Sequence, residues 1–438
     1  MSSIPVDLRV ATMLMKANLS SYLKGVARGE RIFQNTKFRI DEESFMAISK
    51  KIKGFISQAS WIRKMFEEGA KLKGQYGADR VYDFSLGNPN LDPPLGFKEQ
   101  LHRIVNLDSP GKHAYMPNAG YPETRAAVAA YLSRGHEVPL TADHVMMTCG
   151  AGGALNVILK TLLDPGDEVL VPAPFFVEYR FYADNAGGIL KVVNTKEDFS
   201  LDLGVMAAAI TDKTKVILIN SPNNPTGKVY DDPTIRKLAA LLMEKSRTFS
   251  RTLYLVSDEP YSEIVYDGVQ VPSILKAYRN SVIATSYSKS LSLPGERIGF
   301  IAVNPHIFEV EEVINGMVLC NRILGFVNAP ALMQRVIAGI QGLRVDVGEY
   351  QRKRDLLCDG LAAIGYQFHK PEGAFYLFPK TPIEDDVEFV KALQKRQILT
   401  VPGSGFGSPG HFRIAYCVDD ATITNAMDGF AETFKKCS

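Results

Sequence analysis

The sequence predicts an α/β protein, with a large domain built on a mainly parallel sheet covered by helices and a smaller α+β domain. Three observations carry this. Short apolar runs at residues 168–171, 216–220 and 253–258 alternate with helix-length segments through about residues 91–330. Near-continuous apolar runs are what strands buried on both faces require. The chain has 438 residues, too many for one small core, so two lobes are expected. Polar residues also gather just after the apolar runs, at Asn224, Asp258 and Lys289, and ligands of parallel sheets bind at the C-terminal ends of strands.

Taken in order, residues 1–45 carry no motif that connects to chemistry. Ile48, Ile52, Phe55, Ala59, Ile62 and Phe66 recur at steps of three and four, predicting one helix over 47–72, which Gly54 weakens. A short strand near Asp83 runs into the breakers Gly87, Asn88 and Pro89. A helix follows over about 123–133. The glycine-rich turn Gly150-Ala151-Gly152-Gly153 then enters a helix over 157–163. Aromatic residues Phe175, Phe176 and Tyr179 come after the strand at 168–171. The strand at 216–220 ends in the turn Asn224-Pro225-Thr226-Gly227, and a helix spans about 232–247. Residues 281–285 and 298–303 read as strands flanking an irregular turn that holds Lys289. A helical region reaches about 340 and a long helix about 364. Residues 371–378 and 412–417 read as strands of the second lobe.

Composition narrows the function. A net charge of +2 with no clustered basic face argues against nucleic acid and against a charged membrane surface. The five cysteines, Cys149, Cys320, Cys358, Cys417 and Cys437, form no Cys-x-x-Cys pair, and no histidine joins them at metal-ligand spacing. Reduced thiols, no metal and a cytoplasmic location are expected. No apolar run is long enough to span a membrane, and residues 10–15 are too short for a secretory signal.

The chemistry gathers around Lys289. Ser286 and Ser288 supply hydroxyls beside it, and Arg297 supplies a planar cation suited to phosphate. A lysine uncharged near neutral pH can form a Schiff base with an aldehyde. The turn at 150–153 exposes backbone N–H groups at a helix start, which favours an anion. No Gly-Lys-Ser/Thr follows it, so it is not a Walker loop, and it does not match the dinucleotide fingerprint. Asp258 stands at a strand end, where it could serve a cofactor or simply cap a helix.

With Lys289 eight positions before Arg297, Asn-Pro-Thr-Gly at 224–227, and Asp258 three before Tyr261, the chain resembles the class I/II aminotransferases, which are fold type I pyridoxal-phosphate (PLP) enzymes. The resemblance covers roughly residues 83–420. It implies that PLP is held by Lys289, with Asp258 on the pyridine nitrogen and Tyr261 and Asn224 on the phenolic oxygen. Phe176 would stack on the ring, with Phe175 as the fallback. Ala151, Gly152, Gly153, Ser286, Ser288 and Arg297 would hold the phosphate, joined by Tyr115 from a second subunit of a homodimer. Many family members carry a hydroxyl residue in the 150–153 turn, and this chain has none. Gly87 and Arg413 would meet the substrate α-carboxylate, and Arg322 is a loose match for a second-subunit arginine that reads a dicarboxylate side chain. The implied domains are an N-terminal extension over 1–45, an arm and part of the small domain over 46–90, the large PLP-binding domain over 91–330 and the small domain over 331–438. The implied reaction moves an amino group between an L-amino acid, aspartate first and alanine or aromatic residues next, and a 2-oxo acid such as 2-oxoglutarate. A carbon–sulfur β-lyase on the same scaffold is the alternative.

Overall fold

The computed structural model describes residues 47–57, 61–108 and 110–437, and the extension expected over 1–45 lies outside them. The chain divides into two compact units, one ending at Ala59 and one starting at Ser60. In the first, helix Lys50–Ser57 leaves Ile52 and Ile56 exposed. In the second, a helix spans Trp61–Tyr76. Of the helix expected over 47–72, residues 50–57 and 61–72 are helical, and residues 58–60 lie outside the described residues. Ala59 and the side chains of Ile62 and Phe66 lie outside the described residues, while Ile48 and Ile52 are exposed rather than buried. A helical period fixes which residues share a face, but burial of that face needs a partner surface.

Among its described residues the second unit holds twelve strands, β1 Tyr82–Asp83, β2 Val145–Thr148, β3 Glu168–Ala173, β4 Ile189–Asn194, β5 Thr214–Asn220, β6 Tyr254–Asp258, β7 Ser281–Ser286, β8 Gly299–Val303, β9 Tyr376–Leu377, β10 Ile398–Leu399, β11 Val401–Pro402 and β12 Phe412–Ala415. The main sheet has the order β2-β8-β7-β6-β5-β3-β4. All its strands run one way except β8, which is antiparallel to both neighbours.

Side chains alternate between two cores along each central strand. Ile217 and Ile219 of β5, Leu255 of β6, Ile283 of β7, and Phe300 and Ala302 of β8 enter one core. Val216, Leu218, Val256, Val282, Ala284, Ile301 and Val303 enter the other. This period of two, apolar on both sides, explains the continuous apolar runs. Helices Pro122–His136, Asp232–Thr248 and Ala331–Ala338 cover the first face, and Gly150–Leu162 and Val310–Ile323 the second. Helix Asp232–Thr248 starts where expected because Asp231 accepts from Thr234 N at 2.8 Å.

A third core joins β9, β12 and helices Val347–Ile364 and Asp420–Cys437. The strand expected over 371–378 shortens to Tyr376–Leu377, because Gly373 is diverted into a bridge with Val265 and Ala374 takes a left-handed backbone. β1 pairs in parallel with β10, which fastens the segment leading to Gly87 onto this lobe. Among the described residues, no helix is long and apolar enough to cross a membrane.

Candidate active site

β5, β6 and β7 are parallel neighbours, and their C-terminal ends bring the polar residues together. Asn220 is in register with Asp258, and Asp258 with Ala284. Asn220 Nδ2 donates to the Asp258 carbonyl at 2.8 Å, and Asn220 Oδ1 accepts from Asn224 N at 2.6 Å. This buried amide pins the 224–227 turn to the end of β6, a task for which the sequence reading did not select it.

Lys289 does not sit on an irregular turn. It lies in a single helical turn, Tyr287–Ser290, directly after β7, with Ser286 as the N-cap accepting from Ser288 N. Lys289 is half-buried. Its Nζ donates to Gly87 O at 2.7 Å and stands 5.4 Å from the centre of the Phe375 ring and 6.0 Å from that of Tyr261. Burial, with Arg413 and Arg297 nearby, pushes the amine down to about 8. No carboxylate pairs with it among the described residues.

Asp258 is buried, and burial raises its carboxyl to about 7. Oδ2 accepts from Tyr179 Oη at 2.6 Å, while the buried Oδ1 has no partner. A half-satisfied buried carboxylate calls for a cation or donor. Tyr179 was named in the sequence only as one aromatic among several. Phe176 meets Tyr179 edge-on at 5.6 Å, whereas Phe175 is buried against Phe406 and Gly407.

The glycine-rich segment also differs from expectation. Ala151, Gly152 and Gly153 are the first turn of helix Gly150–Leu162, which begins well before residue 157. Gly150 has φ +71°, and a Cβ there would lie 2.9 Å from Arg297 Nη2. Gly299 in β8 would bring a Cβ within 2.9 Å of the Gly150 backbone. These two glycines let Arg297 close over the helix start.

Arg413, on β12, is fully buried. Nη1 donates to Asn224 Oδ1 at 3.0 Å, Nη2 donates to Ser85 O, and Nε has no partner. Its guanidinium stacks 4.6 Å from the Tyr376 ring. Among the described residues no carboxylate balances this charge, so burial lowers its affinity for the proton. The Tyr261 and Tyr376 hydroxyls are 2.8 Å apart, and a Cβ on Gly87 would collide with the Tyr376 hydroxyl. Tyr376 is thus another residue of the site with no mark in the sequence. Tyr115 and Arg322 are exposed and share no bond with the other groups.

The set fits PLP. A depressed amine suits its aldehyde, the unpartnered Asp258 Oδ1 suits a pyridinium N–H, and Arg297 with a helix start suits its phosphate.

Comparison with known proteins agrees. The signature of the family "Aminotransferase class I and II" matches residues 79–430. A probable aspartate aminotransferase of Methanocaldococcus jannaschii is 34% identical over 81% of this chain and 93% of its own. The crystal structure of an aminotransferase from Eubacterium rectale superposes with a TM-score of 0.87 at 39% identity, covering 90% of this chain and all of that one. Aspartate aminotransferase from Thermus thermophilus with maleate superposes with a TM-score of 0.79 at 29% identity, covering 89% and 100%. These relatives support transamination over the carbon–sulfur lyase alternative. The chain belongs to the class I and II aminotransferases and is a PLP-dependent aminotransferase of fold type I.

Proposed function

We propose that the chain transfers the amino group of aspartate to 2-oxoglutarate, with alanine and aromatic amino acids as the next donors. The observation that carries the carboxylate assignment is Arg413, a buried guanidinium with an unpartnered Nε and no acidic partner among the described residues. A substrate α-carboxylate would satisfy it through a two-pronged contact. The relatives named for aspartate, one of them with the dicarboxylate maleate, support the choice of donor.

In this reading Lys289 holds the cofactor aldehyde covalently. Asp258 pairs with the pyridine nitrogen, and Tyr261 and Asn224 face the phenolic oxygen. Phe176 covers the ring, and Ala151, Gly152, Gly153, Ser286, Ser288 and Arg297 surround the phosphate. Bound there, PLP supplies an electron sink for the pair released when the substrate loses its α-proton. Once the substrate amine has taken its place on the aldehyde, the freed Lys289 Nζ, whose proton affinity burial lowers, would take and return that proton. Gly87 O orients the amine. Tyr179 favours the ionised form of Asp258 and holds it in place. Arg413 and Gly87 set the substrate carboxylate.

The proposed assembly is a homodimer with shared sites. Tyr115 is 91% exposed, and Leu319 and Ile323 are exposed on the helix that carries Arg322, so these residues are free to reach a second subunit. The proposed location is the cytoplasm, which five free cysteines suit. The proposed large domain covers 91–330 together with helix Ala331–Ala338, whose Met333, Val336 and Ile337 lie in its core. The later residues and the segment carrying Gly87 form the lobe that closes.

A panel of amino donors against 2-oxoglutarate tests the reading on wild type and Arg322→Ala. Aspartate should lose about tenfold to a thousandfold in kcat/KM, as expected for one charge-assisted contact, and alanine much less. Equal losses would remove Arg322 from the pocket. A wild type that prefers alanine or aromatic donors would remove aspartate.

A further inference from the structure

The first turn of helix Gly150–Leu162 carries no side-chain hydroxyl, and a tyrosine from another helix stands in the space where one would be. A Cβ placed on Gly152 would lie 3.1 Å from Tyr182 Oη and 3.8 Å from Tyr182 Cζ, with nothing else nearby. Tyr182 is on helix Tyr179–Asn185, one turn after the tyrosine that donates to Asp258. Its ring packs against the core shared by Phe176 and Phe326, which holds it in position. Its hydroxyl makes no hydrogen bond among the described residues, although the ring is half-buried. Glu178, Asp258 and Arg297 are all close enough to act on it electrostatically. The hydroxyl therefore lies among the groups assigned to the cofactor and has its proton to offer. Burial raises its pKa, so it remains a neutral donor across the working pH range.

We propose that Tyr182 Oη is a ligand of the cofactor phosphate, supplying from a neighbouring helix the hydroxyl that residues 151–153 lack. The inference rests on the reading that the start of helix Gly150–Leu162 and Arg297 hold that phosphate. A phosphate presents several acceptor oxygens, and backbone N–H groups at a helix start reach only those on one side. The missing side chain at Gly152 makes the exchange possible. A serine at 152 would bring its Cβ within 3.1 Å of the tyrosine hydroxyl, which would have to shift to admit it. Glycine at 152 and tyrosine at 182 are then two halves of one solution.

The test is binding of PLP and of pyridoxal, which lacks the phosphate, to the cofactor-free full-length protein by equilibrium dialysis. Tyr182→Phe should weaken PLP about ten- to 150-fold, the loss of one hydrogen bond to a charged oxygen, and leave pyridoxal unchanged. Adding Gly152→Ser to Tyr182→Phe should restore most of the PLP affinity, because the serine hydroxyl then occupies the vacated space. Pyridoxal binding reports that each variant is folded. Unchanged PLP affinity in Tyr182→Phe, or an equal loss for PLP and pyridoxal, would overturn the proposal. Arg297→Ala separates the two levels. If it abolishes the preference for PLP over pyridoxal while Tyr182→Phe keeps it, only Tyr182 is misassigned. If neither variant changes the preference, the phosphate site itself lies elsewhere.

Discussion

Replacing Tyr179 with phenylalanine removes one oxygen atom and leaves the ring that meets Phe176 edge-on at 5.6 Å. Among the described residues the atom removed is the sole donor to the Asp258 side chain, at 2.6 Å, because Oδ1 already lacks a partner. Burial holds Asp258 near 7 even with this bond, whose effect is to lower it. A hydrogen bond to a charged group contributes about 1.5–3 kcal/mol, so its loss should raise the Asp258 pKa further by about one to two pH units. A carboxyl that resists ionisation is a poorer partner for a pyridinium nitrogen. The same energy, felt where charge develops, lowers kcat by about tenfold to 150-fold. KM should change little, since Tyr179 is assigned no contact with substrate. Steady-state kinetics across pH check both parts. The acidic limb of kcat should move upward, and Tyr179→His, which restores a donor, should recover part of the loss. A wild-type kcat with an unmoved acidic limb, or a change confined to KM, would refute the reasoning.

Three further outcomes follow from the same geometry. In the cofactor-free protein, labelling of Lys289 by an amine reagent, read by peptide mass spectrometry, should have its midpoint near pH 8. About one amine in ten is then neutral at pH 7, against about one in 3,000 for an ordinary lysine, and a midpoint near 10.5 would contradict the site. Burial raises Glu259 from 4.5 to about 8, so its contribution to stability is complete below about pH 4.5 and is lost as pH rises through about 8. Glu259→Gln should therefore match wild type in denaturant unfolding near pH 5 and exceed it near pH 9, by at most about 5 kcal/mol at about 1.36 kcal/mol per pH unit; a pH-independent difference would disprove this. Gly150→Ala meets both a left-handed backbone and the Arg297 guanidinium, and should weaken PLP binding about tenfold in dialysis. Unchanged affinity would show that Arg297 is not held there by the glycine.

The central strands were legible because their apolar runs are long enough to be buried on both faces and end in turn residues, as at Asn220 and Asp258. The reversed direction of β8 was not, since a period of two reads the same either way. Three glycines in four residues argue locally against a helix, yet burial of Ala154, Leu155 and Ile158 starts one at Gly150. The helical turn around Lys289 did leave a local trace, a serine in N-cap position at 286. Lys289, Asp258 and Asn224 could be identified because each carries its own motif. Tyr179, Asn220 and Tyr376 could not, because their partners are remote in the chain and a buried tyrosine or asparagine has no local signature. Their one general hint is that buried polar groups need partners. Tyr115 and Arg322 lie on the surface of a single chain, so one chain alone gives them nothing to bind.

The pairing of β1 with β10 also has a consequence for biosynthesis. Tyr82 and Asp83 leave the ribosome early, but the strand they join, Ile398–Leu399, is nearly the last to be made. The carbonyls of Ser85 and Gly87, which receive Arg413 and Lys289, follow directly after β1. While the main sheet can assemble from contiguous sequence, these carbonyls cannot be fixed until almost the whole chain has emerged. Contacts of such long sequence separation form slowly. A nascent chain halted before residue 398 would carry a finished sheet bearing Lys289 and Asp258, with the Gly87 carbonyl not yet fixed beneath the lysine and the Arg413 guanidinium still missing.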